Sequence, residues 1–203
     1  MQKNTRMPVK IHQKNSTIIR RCAWVPENDP LYITYHDTEW GVPVHDDKKI
    51  FEFLVLESAQ AGLSWKTVLH KRNNYKKAFA RFNPTQVARF TEQNKKSLME
   101  NAGIIRNRQK IEAAIQNAKQ FLEVQKEWGS FSTYMWSFVD NTPIQHNIQT
   151  LADYPKTIPQ AVAWSGDLKK RGFSFLGPTV CYAHMQAVGM VQDHMTCCFK
   201  YNQ

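Results

Sequence analysis

The feature that most restricts the fold of this chain is the helical spacing of its apolar residues, which continues through most of the sequence with almost no strand-like alternation. Residues that can cap a helix stand just before successive apolar segments. Asp46 and Asp47 precede a segment that predicts a helix through about Glu57, and Ser64 precedes a second one. No internal repeat or low-complexity run breaks the pattern. The sequence therefore predicts an all-α fold.

The same signals extend this prediction toward the C-terminus. The helix after Ser64 is expected to bury Trp65, Val68, Leu69 and Phe79 on one face. Segment 140–159 contains three prolines and no clear period, so it is predicted to be a long loop or hinge. Further helices are predicted to begin at Asn83-Pro84, to span 107–126, to open near Ser130, to span about 160–171 before Gly172, and to run from about Thr179 to Val188 before Gly189.

Length and charge predict one folded domain with a separate basic segment before it. A chain of 203 residues is long enough for one domain with a real core. Six of its basic residues lie within 1–21, where there is no acid, so 1–21 is predicted to be a flexible basic tail and 22–203 a single helical domain. The net charge of +10 falls to +4 for the domain alone. Such a charge allows DNA binding through a local patch without requiring it.

Composition also restricts where the protein works. No apolar stretch approaches the length that spans a bilayer, and the polar N-terminal segment lacks the apolar core of a secretory signal. We therefore expect no membrane association. Of the four cysteines, Cys197 and Cys198 are adjacent and suit a disulfide framework poorly. Reduced thiols in the cytoplasm are the expectation.

One candidate nucleic-acid contact is the segment KKRGFSFLGPTV. Lys169, Lys170 and Arg171 end one predicted helix, and a glycine-containing turn leads directly into the next. The backbone N–H groups after Gly177 and the Thr179 hydroxyl can hold a phosphate at that helix N-terminus. The alternative is an ordinary corner between two helices with a solvated basic end. The pattern alone does not separate the two.

Two further groups of residues can carry chemistry. Cys22, His36, His194 and Cys198 form a possible set of metal ligands, and His194 and Cys198, four residues apart, can face one point. Their spacing is not that of a standard zinc finger, so unremarkable thiols and histidines remain the alternative. Glu57 should point toward the apolar side of its helix, either as a ligand acceptor or as a paired helix-end residue. Aromatic residues that can wall a pocket beside it, or simply fill the core, are Trp24, Tyr35, Trp40 and Trp65.

Several long segments, taken in order, resemble one known family. They are CAWVPENDPLYITYHDTEWGVP, LESAQAGLSW, NAGIIRNRQKI, WSFV, LKKRGFSFLGPTVCYAHMQAVG and DHMTCC. Together they are similar to the bacterial 3-methyladenine DNA glycosylase I family over about residues 22–198. Segment 1–21 matches nothing in that pattern.

The resemblance implies a helix-hairpin-helix DNA glycosylase fold with a structural Zn²⁺ that joins the N- and C-terminal segments through Cys22, His36, His194 and Cys198. It also implies that Glu57 and Tyr35 read the flipped base and that Trp24 and Trp65 stack on it, with Trp40 as a further pocket residue. Leu63, on the turn at the pocket mouth, is expected to fill the gap left in the duplex. The DNA backbone contacts expected are Lys169, Lys170, Arg171, Gly177 and Thr179.

The implied reaction is hydrolysis of the N-glycosidic bond of 3-methyladenine in double-stranded DNA. Methylation at N3 leaves the base cationic, so its departure needs little help from a proton donor. No lysine for a lyase step is evident, so the enzyme is expected to be monofunctional and to leave free 3-methyladenine and an abasic site without cleaving the strand. Asp193 immediately precedes His194 and is expected to orient the metal ligands. A monomer is expected.

Three other functions fit parts of the sequence. A non-catalytic, zinc-containing DNA-binding protein would not need Glu57, Tyr35 and Trp65 together. A zinc hydrolase needs an open metal position, whereas four protein ligands close the site, and the sequence contains no HExxH motif. A broader alkylpurine glycosylase that also accepts 7-methylguanine would share these motifs, and substrate profiling is needed to separate it.

Overall fold

The computed structural model describes residues 19–201, and these are mostly helical. The helices are α1 (Pro30–Thr38), α2 (Asp47–Gln60), α3 (Trp65–Ala78), α4 (Pro84–Val87), α5 (Glu92–Glu100), α6 (Arg108–Trp128), α7 (Phe131–Trp136), α8 (Pro159–Lys170) and α9 (Pro178–Ala187). Short 3-10 turns lie at Ala80–Phe82, Ser137–Val139 and Leu151–Asp153. Two strands, β1 (Ile144–Gln145) and β2 (Val191–Gln192), pair in parallel. Within 19–201, none of the helices has the length and apolar composition needed to cross a bilayer.

The predicted helix starts are confirmed at four side-chain caps. Asp46, Ser64, Asn83 and Ser130 each accept a hydrogen bond from the backbone N–H three residues later. Such a cap contributes about 1 kcal/mol and fixes where the helix begins. The C-terminal ends are less well predicted, because α2 continues to Gln60 rather than ending at about Glu57.

Two helices of nine residues, α1 and α5, were not predicted. Asp29 caps α1 directly before Pro30, which is the same signal that identified α4. Thr91 and Asn94 form a reciprocal capping box at the start of α5. Both helices therefore had local signals, but their apolar faces are too short to show a clear period.

Helix α2 occupies the centre of the fold. Its residues from Ile50 to Ala59 are buried, apart from the half-buried Glu52. It packs against α3, α6, α7 and α9, which surround it on several sides. A helix covered in this way carries apolar residues around its whole circumference. A polar residue near its C-terminal end, such as Glu57, is consequently held in the interior.

The all-α prediction needs a small correction in segment 140–159, a loop that also contains a two-residue strand and a 3-10 turn. Ile144 pairs with Val191, and Ile148 forms a further parallel bridge with Met195. Thr150 and Asp153 cap the 3-10 turn that follows. Strands of two residues are too short to show alternation, so only pairing with a distant segment reveals them.

The structure also differs from the sequence prediction in the burial of Trp65 and in the place where the folded domain begins. Val68, Leu69 and Phe79 are buried as predicted, whereas Trp65 is only partly buried because it faces a cavity. Most of the predicted basic tail lies outside the described residues. Arg21, however, forms a bidentate ion pair with Asp37 and so contacts the folded domain.

Candidate functional site

An aromatic cavity of about 310 Å³ lies at the C-terminal end of α2. Its volume is at the small end of the range for ligand pockets, which suits a single planar heterocycle. Glu57, Gln60 and Gln186 supply polar groups to its lining. The aromatic residues that line it are Trp24, Tyr32, Tyr35, Trp40, Trp65 and Tyr154. Flat rings of this kind bind a heterocycle by stacking and attract positive charge through their faces.

Glu57 is the only carboxylate of residues 19–201 that lines this cavity, and it is 4% exposed. Burial alone raises its pKa to about 8, since no described residue offsets the desolvation with a hydrogen bond or a neighbouring positive charge. A buried carboxylate without a partner in the fold is costly unless a ligand supplies one. The arrangement favours a ligand that is cationic or that donates hydrogen bonds.

Tyr35 and Trp65 form one side of the cavity, with ring centroids 5.2 Å apart. Burial raises the pKa of Tyr35 well above its ordinary value, and the nearby Glu57 charge acts in the same direction. The Tyr35 phenol therefore stays neutral. The buried indole N–H of Trp65 has no hydrogen-bond partner within the described part of the chain. Both side chains keep polar hydrogens for a ligand.

Trp24 lies on another side of the cavity, where neighbouring side chains hold its ring in place. Its ring meets that of Trp40 edge-on, with centroids 4.8 Å apart. The Trp24 indole N–H donates to the Tyr154 hydroxyl at 3.0 Å, and that hydroxyl donates to the Asp193 carbonyl at 3.0 Å. This chain of hydrogen bonds fixes the plane of the Trp24 ring.

The structure adds cavity residues that the sequence did not identify. Tyr32 precedes Tyr35 by three residues on α1, so helical spacing could have suggested it. Gln60 similarly follows Glu57 by three residues on α2. Leu151, Tyr154, Ala183 and Gln186 reach the cavity only through tertiary packing, and no local signal marks them.

Asp193 does not orient the candidate metal ligands, which corrects the expectation for this residue. Its fully buried carboxylate accepts hydrogen bonds from Tyr182, from Gln186 at 2.6 Å and from His146 at 2.7 Å. None of these three is a candidate ligand. Asp193 follows strand β2, and successive side chains of extended backbone point in opposite directions, so Asp193 and His194 diverge.

The four candidate metal ligands do meet at one buried point. The donor atoms of Cys22, His36, His194 and Cys198 all lie within 4.8 Å of one another. The His194 Nδ1 atom lies 3.5 Å from Cys22 Sγ and 3.7 Å from Cys198 Sγ, and the His36 Nε2 atom lies 3.5 Å from Cys198 Sγ. The cluster can hold a metal ion.

The second nitrogen of each imidazole is held by another group. His36 Nδ1 lies 2.7 Å from the Asp37 carboxylate, and His194 Nε2 lies 3.2 Å from the Trp40 carbonyl oxygen. An N–H at each of these positions leaves the lone pair of the other nitrogen directed into the cluster. This is the usual arrangement around histidine ligands of metals.

The residues predicted to contact DNA lie on two exposed turns. Leu63 is 41% exposed on the turn between α2 and α3. Lys169 and Lys170 are exposed at the end of α8, and Thr179 is exposed in the first turn of α9 after its N-cap Gly177. No side chain of the described residues caps α9, so its first N–H groups have no capping partner there.

Arg171 differs from its two lysine neighbours. Its guanidinium lies 2.6 Å from both Asp167 and Glu127, and it covers the Tyr134 ring at 4.9 Å. The two carboxylates neutralise its charge. The structure therefore gives Arg171 intramolecular partners that the sequence did not identify.

Comparisons with known proteins match this chain along most of its length. The family described as Methyladenine glycosylase matches residues 24–201. DNA-3-methyladenine glycosylase 1 of Escherichia coli K12 is 48% identical over 187 residues, which cover 91% of this chain and all of the relative. A crystal structure of 3-methyladenine DNA glycosylase I superimposes with a TM-score of 0.87 at 48% identity, covering 90% of this chain and 100% of that one.

A second solved structure concerns ligand recognition. It describes the structural basis of 3-methyladenine recognition by 3-methyladenine DNA glycosylase I of Staphylococcus aureus, at 37% identity and a TM-score of 0.86. The alignment covers 90% of this chain and 97% of that one. Sequence and fold agree over the same region, so this chain belongs to the methyladenine glycosylase family.

Proposed function

We propose that this protein is a DNA-3-methyladenine glycosylase, which releases 3-methyladenine from alkylated DNA by hydrolysis of the N-glycosidic bond. The observation that carries the proposal is the buried Glu57 carboxylate, which has no hydrogen-bond partner among residues 19–201 and lies in an aromatic cavity of one-heterocycle size. Family membership and the ligand named for the Staphylococcus aureus relative point to the same base.

The cavity accounts for recognition once the nucleotide has rotated out of the duplex. Trp24 and Trp65 stack against the base, and Trp40 supports Trp24 from behind. The Glu57 carboxylate accepts a hydrogen bond from the exocyclic amine, while the Tyr35 hydroxyl supplies a second polar contact. The negative charge of Glu57 and the ring faces favour the cationic methylated base over neutral adenine.

The same interactions promote bond cleavage. The bond between the sugar and the base breaks with its electron pair moving to the base, which neutralises the positive charge of the base. Water then adds to the resulting sugar cation and loses a proton, so the products are the free base and an abasic site. Because the methylated base leaves as a neutral molecule, the site needs no strong general acid. No lysine is required for this sequence of steps.

The metal at the four-residue cluster is proposed to be a structural Zn²⁺. A tetrahedral zinc ion bound by two thiolates and two imidazoles spaces sulfur and nitrogen by about 3.6 Å, which agrees with the observed separations. Cys22 and His36 come from the start of the folded chain and His194 and Cys198 from its end. When bound, the ion would join these segments, with no open position for water.

The turn between α8 and α9 is proposed to be the hairpin of a helix-hairpin-helix element. Lys169 and Lys170 would contact phosphates, with the α9 N-terminus at Gly177 and Thr179 as the backbone grip. Leu63 would occupy the space left by the flipped base. Arg171 is better assigned to holding α8 against α6 and α7.

The cellular location, the oligomeric state and the domain organisation of the protein belong to the same proposal. We place the enzyme in the cytoplasm as a monomer acting on double-stranded DNA, with a basic segment preceding a single helical domain. Salt-dependent DNA binding with and without residues 1–18 tests whether that segment contributes to affinity.

The decisive experiment is release of free base from methylated duplex DNA, resolved by chromatography. Release of 3-methyladenine alone supports the proposal, and additional release of 7-methylguanine would broaden the substrate range. If the folded, metal-loaded protein binds damaged DNA without releasing any base, the non-catalytic alternative is correct. A metal ion with an open coordination position would instead favour the alternative of a zinc-dependent hydrolase, in which the metal activates water.

Activity is expected to rise with pH through the pKa of Glu57. The raised pKa, about 8, means that the neutral acid predominates below this pH and the required carboxylate above it. The charge of the methylated base is fixed by its methyl group and does not titrate in parallel. We therefore expect kcat/KM to increase from about pH 6, to reach half of its maximum near pH 8 and to level off at about pH 9. A flat profile over that range would contradict the role given to the carboxylate.

Tyr154→Phe tests the support of the Trp24 ring. The variant removes the acceptor of the Trp24 N–H and the bond to the Asp193 carbonyl while keeping the ring. Loss of this contact should weaken binding of free 3-methyladenine about threefold to tenfold. Tyr134→Phe is the control, because it removes another buried tyrosine hydrogen bond, to Asp167, outside the cavity lining. Equal affinities in the two variants would remove Tyr154 from the binding site.

A further inference from the structure

Two side chains of α6 hold the backbones of both exposed turns. The Lys110 ammonium donates to the carbonyl oxygens of Ala59 at 2.9 Å and Ala61 at 2.6 Å, at the end of α2. Asn117 donates to the Ser174 carbonyl at 2.9 Å and accepts from the Ser174 N–H at 2.9 Å. Lys110 therefore secures the turn before α3, and Asn117 the turn between α8 and α9.

The positions of these two residues on α6 place them on one face. Seven residues correspond to almost two complete turns of an α-helix, so the side chains project in nearly the same direction about 10 Å apart along the axis. Asn117 is 2% exposed, and both hydrogen bonds of its amide are made to one backbone residue. Lys110 is half-buried, and its positive charge lies at the C-terminal end of α2, where the helix dipole favours a cation.

The two turns that Lys110 and Asn117 hold share two properties, namely a residue with positive φ and an exposed apolar side chain. The first contains Gly62, with φ of +77°, followed by the exposed Leu63. The second contains Gly172, with φ of +85°, and Phe175, with φ of +58° and 37% exposure. Each turn thus contains left-handed backbone and presents an exposed apolar side chain, Leu63 or Phe175. Hydrogen bonds from α6 to the backbone hold both turns.

We propose that Lys110 and Asn117 are positioning residues for DNA, because they fix the separation and orientation of the two turns that meet the damaged duplex. With both turns anchored to one rigid helix, the duplex meets a preformed surface with two contact points, and little ordering is needed on binding. This inference rests on the proposed function but not on the identity of the excised base.

The test compares Lys110→Met with Lys119→Met. Both variants remove one lysine charge from α6, but Lys119 is nine residues further along, which places it on the opposite face, and it is exposed. The probe is a duplex that contains a stable analogue of an abasic site. We expect Lys110→Met to bind this duplex about tenfold more weakly than Lys119→Met, with unchanged affinity for free 3-methyladenine.

Two further variants distinguish positioning from a direct charge contact. Lys110→Arg keeps donors for both carbonyl oxygens and should restore most of the duplex affinity. In a double-mutant cycle, Leu63→Ala should cost less in the Lys110→Met background than in the wild type, because Leu63 is then no longer held in place. Asn117→Asp, which loses the donor to Ser174, should increase amide hydrogen exchange at 172–177.

The outcomes separate this inference from the proposed function. Equal duplex affinity in Lys110→Met and Lys119→Met, together with additive effects in the cycle, would overturn the positioning role. A wild-type protein that binds the duplex but releases no base would contradict the proposed reaction and leave the positioning result valid. Parallel loss of free-base affinity in Lys110→Met would also overturn the inference, since it would show a general structural effect.

Discussion

Replacing Glu57 with glutamine is expected to lower kcat/KM for 3-methyladenine release by about 10²-fold to 10³-fold. The substitution keeps the shape of the side chain and its carbonyl acceptor, but removes the negative charge that faces the cationic base. The described residues place no second carboxylate in the cavity lining, so no neighbour can substitute for it. Base release from methylated DNA measures the effect, with Glu123→Gln, an exposed change on α6, as the control.

The same variant should be more stable than the wild type at alkaline pH. The Glu57 pKa of about 8 exceeds the ordinary value of 4.5, so between these values the native state binds more protons than the unfolded state. The free energy of unfolding of the wild type therefore falls as pH rises through this range, by up to about 5 kcal/mol. Glutamine does not titrate and avoids this loss. Thermal unfolding at about pH 6 and about pH 9 measures the difference.

Base release and thermal unfolding, measured on the same variant, distinguish a loss of catalytic function from a loss of folding. A variant that is inactive yet equally or more stable has lost a functional charge and has kept its fold. Wild-type activity in Glu57→Gln would instead show that the carboxylate serves neither recognition nor cleavage. An inactive and unstable variant would indicate that the Glu57 carboxylate stabilises the fold.

Removal of the proposed zinc is expected to lower the stability of the protein strongly. Cys22 and His194 are 172 positions apart in the sequence, and the ion would connect the two ends of the folded domain. A metal present at about 1,000 times its dissociation constant adds about 4 kcal/mol to the free energy of unfolding. For a protein of this size, that corresponds to a decrease in Tm of about 8–16 °C after chelation. Elemental analysis should give one zinc ion per chain.

The adjacent cysteines provide a matched pair of variants. Cys198 is buried in the ligand cluster, whereas Cys197 is exposed and is not part of it. Cys198→Ser should lose bound zinc and show the lowered Tm, while Cys197→Ser should keep both. Full zinc content and an unchanged Tm in Cys198→Ser would show that the cluster does not bind the metal in this way.

The sequence by itself determined most of the helices because their signals are local. A cap such as Ser64 and the apolar spacing after it act over three or four residues, which is the range of interactions within a helix turn. The resemblance to a known family also supplied candidate residues for the cavity and the cluster. The structure brings Glu57, Tyr35, Trp24, Trp40 and Trp65 to one cavity, and their roles in binding and catalysis remain predictions.

Only the tertiary structure decided the features that depend on distant segments. The strand pair is two residues long and exists because residues 144–145 meet 191–192. Tyr154 reaches Trp24 from 130 positions away, and Asp193 turns away from its neighbour His194 toward Tyr182. Lys110 holds a turn that ends α2, 49 positions earlier. These contacts arise from the packing of whole helices around α2, and a short-range pattern carries no information about where such long-range partners meet.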